Sequence, residues 1–304
     1  MRARIAAAAV LAGAAAFAAP ALPAAAAGTG PIEFATTVHG DPADVYAPAA
    51  ADIDGDLPVA LLLQGANVDK SAYAGFARAV AGYGFVVVVP NHARTFFGQT
   101  GLFAEQAQAA WTVTWMNQED GRAGSPLAGK IDTDSLGLLG HSFGGAAGLA
   151  VTTGVCAPPF CGEPAAKPAE LKGAALFGTN NTPPGGSANP PVPNTVPVAL
   201  VQGTVDGVAP PAAAQATYEA VQQPPKMLVS VSGANHYGIT DTQAPAGAIP
   251  DPSPQTIPQE DGIKTSARWS AMFLRTVMGD VWSGVWLWGV GDAVDRGVTV
   301  QYVR

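Results

Sequence analysis

Leu136-Gly137-Leu138-Leu139-Gly140-His141-Ser142-Phe143-Gly144-Gly145-Ala146-Ala147 decides the reading of this chain. A short apolar run, as expected of a buried strand, meets a Gly-x-Ser-x-Gly pentapeptide, and small helix-compatible residues follow. This is the layout of a tight strand-to-helix turn that pushes a serine hydroxyl out of a sheet. Gly140 and Gly144 have a steric job in such a turn, because neighbouring backbone passes too close for a Cβ. The helix starting at the serine points unsatisfied N–H groups at the reacting atoms, which suits developing negative charge. In a chain with 36 glycines the pentapeptide alone is a weak signal. Its weight comes from the strand before it, the helix after it and the partners further along.

Working outward, apolar runs and helical stretches alternate. One or two entry strands are expected over Pro31–Val45, and Val59–Leu63 and Phe85–Val89 read as strands buried on both faces. Further strands are expected at Leu136–Leu139, Ala174–Phe177, Val196–Val201 and Met227–Val231. Helices are expected over Ser71–Ala81, Leu102–Asn117, from the elbow to Thr153, and over Pro211–Val221 and Gly262–Met278. Such alternation predicts one mostly parallel sheet with helices on both faces. In such sheets ligands sit beyond the carboxyl ends of the strands, so chemistry is expected just after each strand.

Three post-strand positions carry reactive groups: Ser142, then Asp206 in Gln202-Gly203-Thr204-Val205-Asp206-Gly207, then His236 in Ser232-Gly233-Ala234-Asn235-His236-Tyr237-Gly238. Nucleophile, acid and histidine in that chain order suit this architecture. A serine hydroxyl needs a base to accept its proton, and imidazole is suited to that role. The acid holds the imidazole tautomer and stabilises the imidazolium as it forms. Asp241 is the substitute acid. His141 is expected to point away from Ser142, and His39 and His92 to be structural or pocket-lining. Oxyanion donors are expected at the Phe143 N–H and, in Gln64-Gly65-Ala66, at the Ala66 N–H. Gln64, Phe96 and Phe97 are candidate substrate-facing residues, with core packing an equal alternative for the two phenylalanines.

At this point the chain resembles an α/β-hydrolase, most closely the chlorophyllase and dienelactone-hydrolase-like esterases. The resemblance rests on Leu61-Leu62-Leu63-Gln64-Gly65-Ala66-Asn67, on Gly82-Tyr83-Gly84-Phe85-Val86-Val87-Val88-Val89-Pro90, on Gly140-His141-Ser142-Phe143-Gly144-Gly145, and on Asp206 and His236. It implies Ser142 as nucleophile, Asp206 as acid and His236 as base, the roles the residues already indicate. Two positions depart from the pattern. Gln64 stands where such enzymes usually carry histidine, and Phe143 where chlorophyllases tend to carry arginine. A chlorophyll substrate therefore does not follow from the resemblance.

The remaining features bound the reading. The chain has 304 residues, 12% of them charged, and a net charge of −8, with Lys and Arg scattered singly. That excludes the basic patches nucleic-acid binding needs. Arg2, Arg4, the apolar Ile5–Ala19 and the small residues Ala25-Ala26-Ala27 predict a cleaved export signal over 1–27. Pro20 and Pro23 interrupt the run before it spans a bilayer, and no later segment is apolar for long enough. The expectation is a secreted protein without stable membrane insertion, forming a single catalytic domain over 28–304. Cys156 and Cys161, the two cysteines, read in an oxidising compartment as a local disulfide. No metal or organic cofactor is implied.

Gly178–Thr195 and Ala244–Pro258 are turn-rich and Pro-rich, so no large cap is expected and the site should be open, bordered by mobile loops. The tail from about 280, with Trp282, Trp286 and Trp288, is expected to dock onto the domain. Together these features predict a serine-dependent carboxylic-ester hydrolase acting on small or polymeric esters. An acyltransferase or serine peptidase would use the same residues, and a non-catalytic binding module would share only the fold. Oligomeric state is not encoded in any feature of the sequence.

Overall fold

The computed structural model of the protein describes residues 30–96, 98–162, 167–183 and 189–304. The leader expected over 1–27 and Phe97 lie outside them, as does the side chain of Phe96.

The strands are β1 (Pro31–Val38), β2 (Asp41–Ala49), β3 (Leu57–Leu63), β4 (Val86–Pro90), β5 (Ala93–Phe96), β6 (Gln99–Leu102), β7 (Ile131–His141), β8 (Leu171–Phe177), β9 (Val198–Gly203), β10 (Lys226–Val231) and β11 (Val298–Val303). The helices that matter here are α1 (Ala74–Ala81), α2 (Ala107–Asp120), α3 (Phe143–Thr153), α4 (Pro211–Ala220), α5 (Gln259–Val277) and α6 (Val281–Val285). Nine strands form one sheet in the order β1-β2-β4-β3-β7-β8-β9-β10-β11. The six from β4 to β10 run parallel, and β1, β2 and β11 add antiparallel edges. This is the α/β-hydrolase fold.

Continuous apolar strands arise because both faces are covered. Leu61 and Leu63 of β3 join a core with Met116 of α2, Leu149 of α3 and Ala214 of α4. Ala60 and Leu62, pointing the other way, join a second core with Phe76 of α1 and Trp269 and Phe273 of α5. Each fully buried leucine contributes about 1.5–3 kcal/mol relative to an exposed one.

Strands β5, β6 and β11 and helix α6 went unanticipated. The hairpin β5–β6 forms a separate two-stranded sheet, which delays α2 to Ala107. Strand β11 pairs with β10, so the tail contributes a sheet edge. The tail also docks: Trp286 packs on Trp269 at 4.8 Å between ring centroids, whereas Trp282 is 80% exposed. The expected Cys156–Cys161 disulfide is present, with its Cα atoms 5.4 Å apart. No helix occupies the described parts of 178–195. The loop over 244–258 is tied down rather than loose: Asn235 Nδ2 donates to Ser253 O, Thr256 N to Gly233 O, and Tyr237 Oη to Ile249 O. No described helix is long and apolar enough to cross a membrane.

Candidate active site

Strand β7 sits mid-sheet between β3 and β8 and delivers Ser142 at its carboxyl end. Ser142 has φ 52° and ψ −120°, a conformation that turns the chain from strand into α3 within one residue. The turn works only because of the glycines. A Cβ on Gly144 would lie 2.2 Å from Leu63 O and 2.4 Å from Gln64 O, and one on Gly140 would lie 2.8 Å from Gly145 Cα. Gly144 therefore sets how closely the start of α3 approaches the loop after β3, where the two expected oxyanion donors lie.

Ser142 Oγ is 2.9 Å from His236 Nε2, and His236 Nδ1 is 2.9 Å from Asp206 Oδ2. His236 and Asp206 are 2% and 4% exposed, so neither exchanges its partner for water. Asp206 Oδ1 accepts from Val208 N at 2.9 Å and Ala209 N at 2.7 Å, while Gln202 Nε2 donates to Oδ2 at 3.1 Å. A carboxylate fed by these donors is an acceptor, so Nδ1 of His236 carries the proton and Nε2 is free to take one from Ser142. Asp241, the substitute acid, is engaged elsewhere: its Oδ1 accepts from Gly75 N at the start of α1.

The structure adds residues that the sequence did not single out. Asp251, in the loop before α5, accepts from His236 N at 2.8 Å and from Gly207 N at 3.1 Å. One carboxylate thus pins the acid loop to the histidine loop. His141 does turn away from Ser142 and is fully buried. Its Nε2 lies 2.9 Å from His236 O, and its Nδ1 lies 2.8 Å from Tyr73 Oη, which in turn accepts from Gly65 N at 2.8 Å. Burial, reinforced by the neighbouring His236, holds the His141 pKa well below the usual histidine range. The ring is therefore neutral, and the carbonyl of His236 can only accept. Nε2–H must donate to it, so Tyr73 O–H donates to Nδ1. A single chain of hydrogen bonds joins the Gln64–Ala66 loop to the histidine loop beneath the elbow.

That chain bears on the oxyanion donors. The Gly65 N–H is committed to Tyr73, which leaves the next amide, that of Ala66, as the candidate beside Phe143 N–H. Gln64 is fully buried, and its Nε2 donates to His92 O at 3.1 Å, so it braces the loop and does not line a surface. The Phe143 ring meets Phe160 at 5.0 Å and Phe103 at 5.6 Å between centroids. His92 is structural: Asp41 lies 2.8 Å from Nδ1 and Glu105 3.2 Å from Nε2. Burial opposes its charge, but the two carboxylates outweigh it and push the pKa up to about 9. His39 stacks on Trp111 at 4.2 Å between ring centroids.

A sheet in this order, with a serine at its central elbow and an aspartate and a histidine converging from the loops after β9 and β10, defines an α/β-hydrolase. The chlorophyllase family model matches residues 28–180, half of the chain. The protein belongs to the chlorophyllase family, whose members hydrolyse esters. The match spans the Gln64–Ala66 loop and the Ser142 elbow and ends before Asp206 and His236, whose placement rests on geometry. No curated protein matches the chain.

Proposed function

We propose that the protein is an exported, serine-dependent carboxylic-ester hydrolase working through an acyl-enzyme. One observation carries this reading: the unbroken run from Ser142 Oγ to His236 Nε2 and from His236 Nδ1 to Asp206 Oδ2, each step 2.9 Å. Ser142 Oγ attacks the ester carbonyl as its proton passes to His236 Nε2. The imidazolium that forms is stabilised by Asp206. The Ala66 and Phe143 N–H groups receive the oxyanion, each such donor being worth about 3 kcal/mol in the transition state. Collapse expels the alkoxide, which takes the proton from His236. Water then adds to the acyl-enzyme with His236 as base, and the carboxylic acid leaves as Ser142 regains its proton.

Export is supported by the charged-then-apolar start of the sequence and by the Cys156–Cys161 disulfide, a bond favoured outside reducing compartments. The test is hydrolysis of p-nitrophenyl butyrate by the protein and by Ser142→Ala. The expected loss is at least 10³-fold in kcat, in line with removal of a nucleophile that acts as a unit with its base. Turnover that survives the substitution would overturn the reading.

A further inference from the structure

A groove of about 670 Å³ opens beside the elbow. One wall is a single face of α3, presented by Phe143, Ala146, Leu149, Ala150 and Thr153. The facing walls are the disulfide-closed segment Ala157–Phe160 and the chain on either side of Asn181 and Pro191. We propose that this groove holds an unbranched aliphatic chain of the ester substrate, and the proposal rests on the esterase reading above.

Three observations point to that occupant. The groove starts at Phe143, the residue bonded to Ser142, and follows α3 to Thr153. Ten residues of helix rise about 15 Å, the length of roughly twelve extended methylenes. None of its lining residues among those described is ionisable; the polar ones are threonine and asparagine. A charged head group would find no charged partner there, whereas a hydrocarbon needs none. The walls are also held in place. Gln106 N donates to Phe160 O at 2.7 Å, Gln106 Nε2 to Val155 O at 3.0 Å, and Arg94 Nη2 to Pro159 O at 2.9 Å. On the other side Asn181 N donates to Thr217 Oγ1 at 2.9 Å, and Asn181 Nδ2 to Pro190 O at 2.8 Å. The described walls are preformed, so filling the groove demands little ordering of them.

The groove acts as a ruler. Ala146, Ala150 and Thr153 lie about 4.5, 10 and 15 Å along it from Phe143 at the helical rise. Each methylene buried in such a site raises kcat/KM by up to about fourfold. For the unsubstituted protein, kcat/KM is expected to climb at least 30-fold from p-nitrophenyl acetate to the decanoate. Ala146→Leu should end the climb near four carbons and Ala150→Phe near eight, both short of the roughly twelve that the unsubstituted groove holds. A general loss of packing would scale all chain lengths alike, whereas a ruler moves the breakpoint. Ala146 is partly exposed, so its variant keeps the test available if Ala150→Phe folds poorly.

Decyl acetate run beside p-nitrophenyl decanoate shows whether the acyl or the alcohol chain occupies the groove, and either assignment supports the proposal. Binding of dansylated undecanoic acid to Ser142→Ala separates the groove from the chemistry. Its Kd should rise at least tenfold in Ser142→Ala/Ala150→Phe. Serine-dependent acetate hydrolysis with no chain-length climb on either side would overturn the groove and leave the esterase standing. Probe binding without ester turnover would do the reverse. Unchanged probe binding in the Ala150→Phe background would also overturn the groove.

Discussion

Tyr73→Phe tests whether the hydrogen-bond chain beneath the elbow serves catalysis. The substitution removes one oxygen and leaves the ring, which is fully buried, in place. Two groups lose their partner: the Gly65 N–H and His141 Nδ1, each 2.8 Å from Tyr73 Oη. An unsatisfied buried polar group costs about 1–3 kcal/mol, so folding stability should fall by about 2–6 kcal/mol. Against a usual total of about 5–15 kcal/mol, a loss of about 4 kcal/mol, the middle of the expected range, leaves the variant folded at 25 °C. Its catalytic effect is smaller than losing an oxyanion donor outright, which costs about 3 kcal/mol. The Ala66 amide is still present, but the residue before it has lost its anchor. An intermediate penalty of about 1.4–2.7 kcal/mol corresponds to a kcat lower by about 10- to 100-fold. KM should stay within about threefold, because the oxyanion forms only in the transition state. Steady-state kinetics with p-nitrophenyl butyrate, paired with guanidinium unfolding, reads both effects. A variant with a lowered unfolding midpoint and an unchanged kcat would show the chain to be structural only, and would refute the link to catalysis.

Three further outcomes follow from the same geometry. Asp251→Asn places an amide against the N–H groups of Gly207 and His236; kcat should drop about 10-fold or more, and a kcat within twofold would remove Asp251 from the positioning of His236. Gly144→Ala drives a Cβ to 2.2 Å from Leu63 O, so soluble protein should be lost. Gly137→Ala meets only flexible side-chain ends, Leu274 at 2.9 Å and Met278 at 3.2 Å, and should lower the melting temperature by a few degrees; equal behaviour of the two would contradict the elbow argument. Stability should peak near pH 6.5. His92 has a folded-state pKa raised to about 9, so its contribution is complete below 6.5 and is lost as pH rises through 9. His141 is held neutral, so stability is also lost as pH falls below 6.5 and the unfolded chain takes up the proton. Melting temperatures from pH 5 to 10 check both limbs, and a curve still rising between pH 7 and 9 would rule out the role given to His92.

What was legible in the sequence was whatever depends on local pattern. The parallel strands could be read because two cores demand unbroken apolar runs, and the elbow because its glycines face backbone. Ser142, Asp206 and His236 fell on post-strand positions for the same reason. Strand β11 was not legible, since Val298-Thr299-Val300-Gln301-Tyr302-Val303 alternates like any edge strand and nothing local names β10 as its partner. The β5–β6 hairpin was hidden by its shortness. Asp251, Gln202 and Tyr73 escaped for another reason: much of what they hold is backbone amide or carbonyl supplied by other loops. A backbone group has no letter in the sequence, so the positions that steady the site left no motif.

His141 shows how far a local rule reaches before topology must finish the argument. Alternation along β7 predicts that if Ser142 faces the substrate, the residue before it faces the opposite way. That much held. What the rule omits is that the opposite face at this depth is fully enclosed, and a buried imidazole must satisfy both ring nitrogens or destabilise the fold. Among the described residues its two ring nitrogens meet Tyr73 Oη and the His236 carbonyl, and these come from loops far apart in the sequence. A leucine would fill the same space and leave Tyr73 O–H and that carbonyl without partners. The histidine is therefore required by the two loops it joins, and the elbow places a buried polar residue directly beneath the serine because those loops must keep register with each other.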